Sequence, residues 1–324
     1  MYDVITFGSA TVDAFAKTDI ETISINHDGE KEEFIAYEAG SKILINELDF
    51  QIGGGGTNTA VAFARLGLKV GFAGILGSDT NAEHVKNTLA KENVDFIGAH
   101  AKGQTGYSMI LDSCIDDRTI LTFKGVNNRL QYSMLDKNNL QGKWFYFSSL
   151  VGESYNAFVR LTEYAKRKKI NIAFNPSSYL AKKGKDFLKK PLKNTTLLVC
   201  NLEEAELIAG KHDIKTLCWK ISKLGPQYVV VTNGSEGAYA YHDGVLYYIP
   251  ALKTKVTETT GAGDAFAAGF LAALISKNNI RYALRLGVAN SSSVIRHIGA
   301  KNRLLTMKQA QREIKKVKGV KRLK

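Results

Sequence analysis

Cysteines, paired histidines and long apolar runs are scarce in this chain of 324 residues, and each scarcity excludes a class of protein. The three cysteines, Cys114, Cys200 and Cys218, lie far apart and form no Cys-x-x-Cys pair. This spacing argues against a disulfide framework and a zinc site, and it favours a reducing compartment. The 6 histidines show no His-x-His or His-Glu-x-x-His spacing, so they indicate no metal centre.

No apolar run is long enough to cross a bilayer. The longest, Ala265–Ile275, is shorter than the roughly 20 residues that a spanning helix needs. The first residues, Met1–Gly8, are typical of a strand and not of a signal peptide. We therefore expect a soluble, cytoplasmic protein with no membrane partner.

Positive charge is in excess, because 44 lysines and arginines face 31 acidic residues and leave a net charge of +13. The basic residues concentrate in Lys166–Lys169, Lys182–Lys185 and the C-terminal stretch Lys315–Lys324. Such runs are typical of solvated helix ends or a frayed tail. RNA binding through the tail is the alternative, but no aromatic platform lies near these runs. We therefore do not expect a nucleic acid partner.

The order of elements predicts an α/β fold. Short apolar strands alternate with helices from Lys143 onward, which implies a parallel sheet covered on both faces. Two segments, 14–52 and 105–126, differ because their strands alternate polar and apolar residues, as in Glu47–Ile52. We assign them to a small separate β-sheet, a candidate lid over a core of residues 1–13, 53–104 and 127–324.

The segment Thr259–Asp264 opens an apolar helical run with two glycines and an alanine. A helix start offers unpaired N–H groups and the positive end of the macrodipole, so it favours an anion. An acid beside a bound anion is well placed to take a proton from a hydroxyl that attacks phosphorus. A simple helix cap is the alternative for Asp264.

Two further segments leave similar alternatives open. Gly53–Gly56, followed by Asn58, is either a hinge or a place where a ligand approaches the backbone closely. Asn201 and Glu204, at the start of a helix, fit either a hydrated Mg²⁺ site or a capping box.

The remaining candidates follow later in the chain. Thr232, Gly234 and Gly237 form a turn that is either structural or a source of donors to nucleotide phosphates. The helix Ala289–Val294 is rich in small residues, which suit close packing or an adenine slot with Asn290 on its rim.

The order of these motifs resembles the PfkB-type, ribokinase-like carbohydrate kinase family over about residues 1–300. Gly54–Ala60, with Ala64–Gly67, resembles the first signature of the family, and Thr260–Asp264 resembles the more specific second signature. The resemblance implies a Rossmann-like three-layer α/β/α sandwich, with a mostly parallel central sheet and a small β-sheet lid.

The resemblance also implies a role for each candidate. Asp264 is the general base, and the backbone N–H groups of Gly261, Ala262 and Gly263 form an anion hole. The remaining residues bind ligands: Asp13, Gly54, Gly55 and Asn58 hold sugar hydroxyls, Asn201 and Glu204 position Mg²⁺, Thr232, Gly234 and Gly237 border ATP, and Asn290 borders adenine.

The sequence departs from the family pattern at three places, and these leave the identity of the acceptor substrate undetermined. Glu258 stands where family members often have an Asp of a monovalent-cation site, so K⁺ use is uncertain. Gly55 replaces the Lys of ribokinases proper, and segment 14–51 is longer than a compact ribokinase lid. A nucleoside is thus an alternative acceptor, and Arg118, Lys124 and Asn127 leave a sugar phosphate possible.

Two further alternatives concern the protein as a whole. A kinase-like fold can also serve a non-catalytic binding protein. An exposed strand edge of the lid would allow a homodimer.

Overall fold

A computed structural model describes residues 1–18, 22–27, 30–112, 118–297 and 299–323, without the side chains at 22, 27, 30–33, 112 and 118. The strands are, in chain order, β1 (Tyr2–Phe7), β2 (Thr11–Lys17), β3 (Thr22–His27), β4 (Glu30–Ile35), β5 (Glu47–Gly53), β6 (Val70–Phe72), β7 (Ile75–Leu76), β8 (Val94–Phe96), β9 (Ala99–His100), β10 (Gly106–Asp112), β11 (Arg118–Phe123), β12 (Gly142–Phe147), β13 (Asn171–Phe174), β14 (Leu197–Asn201), β15 (Tyr228–Thr232), β16 (Ala238–His242), β17 (Val245–Ile249) and β18 (Lys321–Leu323). The α-helices are α1 (Gly55–Arg65), α2 (Thr80–Lys91), α3 (Ser154–Arg167), α4 (Ser177–Ala181), α5 (Gly184–Asn194), α6 (Leu202–Ala209), α7 (Ile214–Ser222), α8 (Ala262–Lys277), α9 (Ile280–Val294) and α10 (Met307–Glu313).

The large sheet has ten strands in the order β18-β17-β16-β15-β14-β13-β12-β1-β6-β8. From β15 to β8 all neighbours run parallel, whereas β16, β17 and β18 add an antiparallel edge. Parallel strands need both faces covered, and the β1 residues Val4, Ile5 and Phe7 are indeed fully buried. The expected three-layer sandwich with a mostly parallel sheet is confirmed.

Helices cover the two faces of this sheet as two separate layers. Helices α1, α2, α8, α9 and α10 pack on one face, and α3 to α7 pack on the other. Helix α8 is apolar on all sides and buried along Ala265–Leu274 because it lies between the sheet and its neighbours α1 and α9. The start of α8 therefore has a fixed position at the carboxyl edge of the parallel strands, where open α/β sheets bind ligands.

A second sheet of four strands, in the order β11-β10-β2-β5, stands at that edge. It draws strands from both segments expected to form a lid, although its first strand begins earlier than expected, at Thr11. The sequence predicts a turn at Asp116 and Asp117 between the two strands of segment 105–126, but this turn and Cys114 lie outside the described residues. Strands β3 and β4 form a hairpin of their own, which the sequence did not predict.

One face of the small sheet is apolar and open to solvent. Phe50 pairs with Ala14, Ala14 with Met109, and Met109 with Leu121, so these side chains form one row on the same face. Phe50, Met109 and Leu121 are each about half exposed. Asp13 belongs to the opposite face, which turns toward the start of α8.

Several elements differ from the expected bounds. The sequence pattern predicts a helix from Asn58 to Leu66, but helix α1 begins earlier, at Gly55, because Gly54 provides the N-cap at φ 91°. The pattern also predicts a helix from Ile280 to Ile298, whereas α9 ends at Val294.

The basic C-terminal stretch is not a frayed tail. After α10 and the 3₁₀ turn Ile314–Lys316, Lys321–Leu323 pairs with β17 as strand β18 at the edge of the large sheet. None of the described helices has both the length and the apolar character that a membrane span requires.

Candidate active site

The site is built around the first turn of α8. Gly261 is the N-cap, in the left-handed conformation at φ 76° and ψ −2°. A Cβ at this position would lie 2.5 Å from the Cβ of Ala300, so both the backbone and the packing require glycine. The N–H of Ala262 already donates to the carbonyl of Thr259 at 3.1 Å. The backbone donor of Ala262, one of the three residues expected in the anion hole, is therefore already engaged within the chain.

Asp264 lies in the same first turn and is partly buried. Its Oδ2 accepts a hydrogen bond from Nδ2 of Asn58 at 3.0 Å, across more than 200 positions of sequence. Burial raises the pKa of Asp264 from 3.8 to about 6, although the Asn58 hydrogen bond and the charge of Lys301 act in the opposite direction. A carboxylate with this pKa is ionised at neutral pH and can accept a proton readily.

Two cavities meet at Asp264. One, of about 220 Å³, lies toward β14 and β15 and is lined by Asn175, Asn201, Glu204, Thr232, Gly261 and Gly263. The other, of about 250 Å³, lies toward α1, and its lining residues include Ser9, Gly55, Lys124, Ser148, Ser149 and Tyr179. Asp264 lines both cavities, so its carboxylate stands at the boundary between two ligand-sized spaces.

The residues expected to hold the acceptor fall into two groups. Gly55 lines the cavity toward α1, and a Cβ there would lie 3.7 Å from Oδ1 of Asp264, while Asn58 bonds that carboxylate directly. Asp13 accepts a hydrogen bond from Thr11 Oγ1 at 2.7 Å and lies against Gly53 on the inner face of the small sheet. Gly54 acts structurally, since a Cβ there would lie 2.4 Å from the carbonyl oxygen of Ser9.

Asn201 and Glu204 form the capping box of α6. The N–H of Glu204 donates to Oδ1 of Asn201 at 2.7 Å, and the N–H of Asn201 donates to Oε2 of Glu204 at 3.0 Å. Burial raises the pKa of Glu204 above its usual value. Both residues also line the cavity toward β14, so the capping box leaves them in reach of a ligand there.

These residues fit a hydrated Mg²⁺ better than a directly coordinated one. Among the described residues no three His, Cys, Asp or Glu side chains are grouped to hold a metal. Mg²⁺ keeps several waters and needs few protein ligands when phosphates supply the rest. Glu204 and Asn201 would hold such waters on the nucleotide side.

The turn after β15 lies at the cavity, whereas Asn290 does not. Thr232 lines the cavity, and Gly234, at φ 49°, has open space around it. Gly237, at φ 108°, is required by packing, because a Cβ would lie 2.1 Å from the carbonyl oxygen of Ile249. The structure gives no support for Asn290 on an adenine rim.

Asn290 is fully buried inside the core. Its Nδ2 donates to the carbonyl of Ala265 at 2.8 Å, and its Oδ1 accepts from the N–H of Leu305 at 3.0 Å. Both ends of the amide are therefore used to fasten α9 to α8 and to the segment that follows, which corrects the expected contact with adenine.

Sequence comparison decides the family. A family model described as pfkB family carbohydrate kinase matches residues 17–307. The chain belongs to this family. A curated relative, an uncharacterized sugar kinase of Archaeoglobus fulgidus, is 30% identical over 251 residues, which cover 75% of this chain and 98% of that protein. A ribokinase of Haemophilus influenzae is 27% identical over 266 residues, 79% of this chain and 85% of its own length.

Solved structures show the same fold. Arabidopsis thaliana ribokinase, whose structure holds ribose and ATP, superimposes with a TM-score of 0.82 at 19% identity and covers 97% of this chain and 99% of its own. The pfkB family assignment confirms the resemblance that the two signatures indicated.

Two polar residues of this pfkB-family site have no signal in the sequence. Asn175 follows β13 and lines both cavities, and its N–H donates to the carbonyl of Phe147 at 2.8 Å. Lys301 is buried beside Asn58, with its Nζ donating to Oδ1 of Asn58 and to the carbonyl of Ile52. Neither belongs to a motif, and only the folded chain brings them to Asp264.

Glu258 lies against the segment that follows α9. Its Oε2 accepts from the N–H of Gly299 at 2.5 Å. The nearby carbonyl of Ile295 accepts from the N–H groups of both Thr257 and Glu258. The use of K⁺ at this segment stays a prediction.

Proposed function

We propose that this chain transfers the γ-phosphoryl group of ATP to a hydroxyl of a sugar or sugar-like acceptor. The observation that carries the proposal is the place of Asp264, at the boundary of a nucleotide-side and an acceptor-side cavity and in the first turn of α8. Family membership supports ATP as the donor.

The chemistry follows from this placement. The acceptor hydroxyl gives its proton to Asp264 as its oxygen forms a bond to the γ-phosphorus, and the bond from that phosphorus to the oxygen of ADP breaks. The start of α8 faces the developing negative charge with its N–H donors and its dipole. Asn58 holds Asp264 in place at 3.0 Å.

Mg²⁺, when bound, would neutralise part of the triphosphate charge and orient it. Glu204 and Asn201 would hold its waters, since their side chains line the nucleotide-side cavity. The small sheet would close over the acceptor and exclude water, which otherwise competes as a nucleophile.

The test is a turnover screen with Mg²⁺-ATP over free sugars, nucleosides and sugar phosphates, with and without K⁺, in a coupled assay for ADP. We expect ADP release that depends on one acceptor class and that Asp264→Asn abolishes. ADP release that is equal with and without every acceptor, or equal in Asp264→Asn, would reject the proposal. A strict dependence on K⁺ would support a monovalent-cation site at the Glu258 segment.

A phosphorylated sugar is a second candidate acceptor, because a cation lies at the acceptor-side cavity. Lys124 lines this cavity, with its Nζ 5.0 Å above the ring of Tyr179. Asn127 cannot serve the same purpose, since its amide is engaged with both backbone groups of Ala10. If the acceptor is anionic, Lys124→Met raises its KM at least about tenfold and leaves the KM of a neutral sugar nearly unchanged.

We further propose that the apolar face of the small sheet pairs with a second copy of this chain. Leu48, Phe50, Met109, Leu121 and Phe123 are all exposed on it. A contiguous apolar face of this kind on a soluble domain commonly marks an interface. The dimer is a proposal that sedimentation tests, as described in the Discussion.

A further inference from the structure

Lys301 is the only buried lysine or arginine among the described residues. Its Nζ donates to Oδ1 of Asn58 and to the backbone carbonyl of Ile52. Asn58 in turn donates through Nδ2 to Oδ2 of Asp264 at 3.0 Å. An ammonium, a carboxamide and a carboxylate thus form one hydrogen-bonded row that ends at the proposed base.

The backbone around Lys301 is fixed from two sides. Arg65 donates through Nη1 to the carbonyl of Lys301 at 2.9 Å, and its guanidinium pairs with Glu92 at 2.6 Å. The preceding residue, Ala300, packs against Gly261 of the α8 N-cap. The ammonium therefore approaches Asn58 from a defined place and not from a mobile loop.

Charged groups of several elements face this lysine. The pKa of Lys301 is lowered from 10.5 to about 8, chiefly by burial, and the charge of Arg65 on α1 acts in the same direction. Asp13 on β2, Asp264 on α8 and Glu92 after α2 raise it in opposition. The hydrogen bond from Asn58 and the charge of Lys301 both act to lower the pKa of Asp264. The charge of Asp264 in turn contributes to the raised pKa values of Tyr146 and Glu204.

We propose that Lys301 is a positioning residue for the phosphoryl transfer: it fixes the orientation of the Asn58 carboxamide and supplies the buried positive charge that keeps Asp264 ionised. The proposal rests on the proposed function of Asp264 as the base.

The orientation argument follows from donor and acceptor chemistry. An ammonium has three donors and no acceptor, so it can face only the oxygen of the Asn58 amide. The NH₂ end must then face Asp264, as it does. Without Lys301 the amide can turn, and its oxygen would face the carboxylate, where two acceptors repel each other.

The charge argument follows from burial. Taking a carboxylate out of water disfavours its ionised form, and a nearby cation offsets that cost. Lys301 supplies this cation from inside the core, where salt screens it little. Loss of the charge therefore raises the pKa of Asp264 and reduces the fraction of ready base near neutral pH.

The pH dependence of wild-type turnover should show the ionisation of both Asp264 and Lys301. Turnover rises as Asp264 ionises near pH 6 and falls as Lys301 loses its proton near pH 8, and the two apparent values belong to the coupled pair. Without Lys301 the acid limb moves to higher pH, and the alkaline limb due to Lys301 disappears.

The experiment compares Lys301→Met, which removes charge and donors, with Lys301→Gln, which keeps a donor but no charge. Lys308→Met, on the exposed side of α10, is the control for the same change of net charge. We expect Lys301→Met to lower kcat at pH 7 at least about tenfold with KM for ATP within about twofold, and to raise the acid limb by at least about half a pH unit. Lys301→Gln recovers part of kcat but shows the same shift of the acid limb.

The readouts separate this inference from the function it rests on. Melting curves check folding, and Lys301→Gln carries the test alone if Lys301→Met does not fold. Titration of the Asp264 carboxyl by ¹³C NMR reports its pKa without turnover, so the inference stays testable even if no acceptor is found. Wild-type kcat and an unmoved Asp264 pKa in both variants would overturn it, whereas full activity of Asp264→Asn would overturn the base itself.

Discussion

The two main sheets of this molecule differ in how many of their faces are covered by other parts of the protein. The ten-stranded sheet is covered by helices on both sides, whereas the small sheet covers one face and leaves Phe50 and Leu121 about half exposed on the other. The groups to which we assign the chemistry, Asp264, Asn58 and Lys301, belong to the large unit and form one hydrogen-bonded row. In our proposal the core therefore holds the reacting groups, and the small sheet contacts the acceptor and a second copy of the chain.

The sharpest test of the core side of this comparison is Asp264→Asn. We expect kcat to fall at least about a hundredfold, because the amide cannot accept the proton. The same change should raise the melting temperature at pH 7.5. The pKa of Asp264 in the folded protein, about 6, lies above its usual value of 3.8. The ionised carboxylate therefore lowers the free energy of unfolding above about pH 6, and this loss disappears as the pH falls from about 6 toward 4.

Two outcomes would break this reading of Asp264. A variant that turns over at the wild-type rate removes Asp264 as the base. A variant that melts at a lower temperature across pH 5 to 8 shows that the carboxylate stabilises the core instead of straining it.

The glycines of the α8 start provide the next test, in a matched pair. Gly261→Ala forces a side chain onto a residue at φ 76° and into Ala300, so we expect at least about a tenfold loss of kcat and a lower melting temperature. Gly263→Ala meets nothing within 4 Å and lies inside the helix, so its melting temperature should stay equal or rise. Equal melting temperatures for the two variants would contradict the packing of Gly261 on Ala300.

The small sheet is tested by charge on its open face. We expect the wild type to sediment as a dimer and the double variant Phe50→Glu with Leu121→Glu to sediment as a monomer, since burying two carboxylates at the interface is costly. Phe187→Glu, at an exposed aromatic residue on α5, is the matched control and should leave the dimer intact. A wild type that is monomeric at all concentrations refutes the interface.

The smallest effect on activity is expected at Asn290. Asn290→Ala leaves the carbonyl of Ala265 and the N–H of Leu305 without this partner, which costs about 1–3 kcal/mol. The melting temperature should fall by at least about 3 °C, while KM for ATP stays within about twofold. An unchanged melting temperature with a tenfold higher KM for ATP would return Asn290 to the nucleotide site.

Local pattern was sufficient for much of the fold. Apolar periodicity predicts most elements of the large sheet, and the pair Asp243 and Gly244 predicts a hairpin turn between two short strands. That hairpin is present, and both residues adopt positive φ. The hairpin β3–β4 and strand β18 were missed. Strand β18 is a short, basic segment that pairs with β17 only because the fold brings that edge within reach.

The residues of the candidate site also divide into those with a local sequence signal and those without one. Gly261 and Asp264 were predictable, since a helix start with small residues and an acid is a local feature. For Asn201 and Glu204 the capping box is confirmed, and the Mg²⁺ site stays a prediction at residues that also line a cavity. Lys301 was not predictable, because a single lysine in a loop acquires its meaning from Asn58 and Ile52, which are about 250 positions away.

Lys301 and Asn127 have a mechanical consequence for the small sheet. Strand β5 runs directly into α1, and the carbonyl of Ile52 near its end is held by Lys301. Strand β2 leaves the core next to Ala10, whose N–H and carbonyl are both held by Asn127, at 3.0 Å and 2.9 Å. The two strands are thus anchored where they join the core, on either side of Asp13. The placement of the small sheet over the site therefore depends on two side chains that lie outside its own strands.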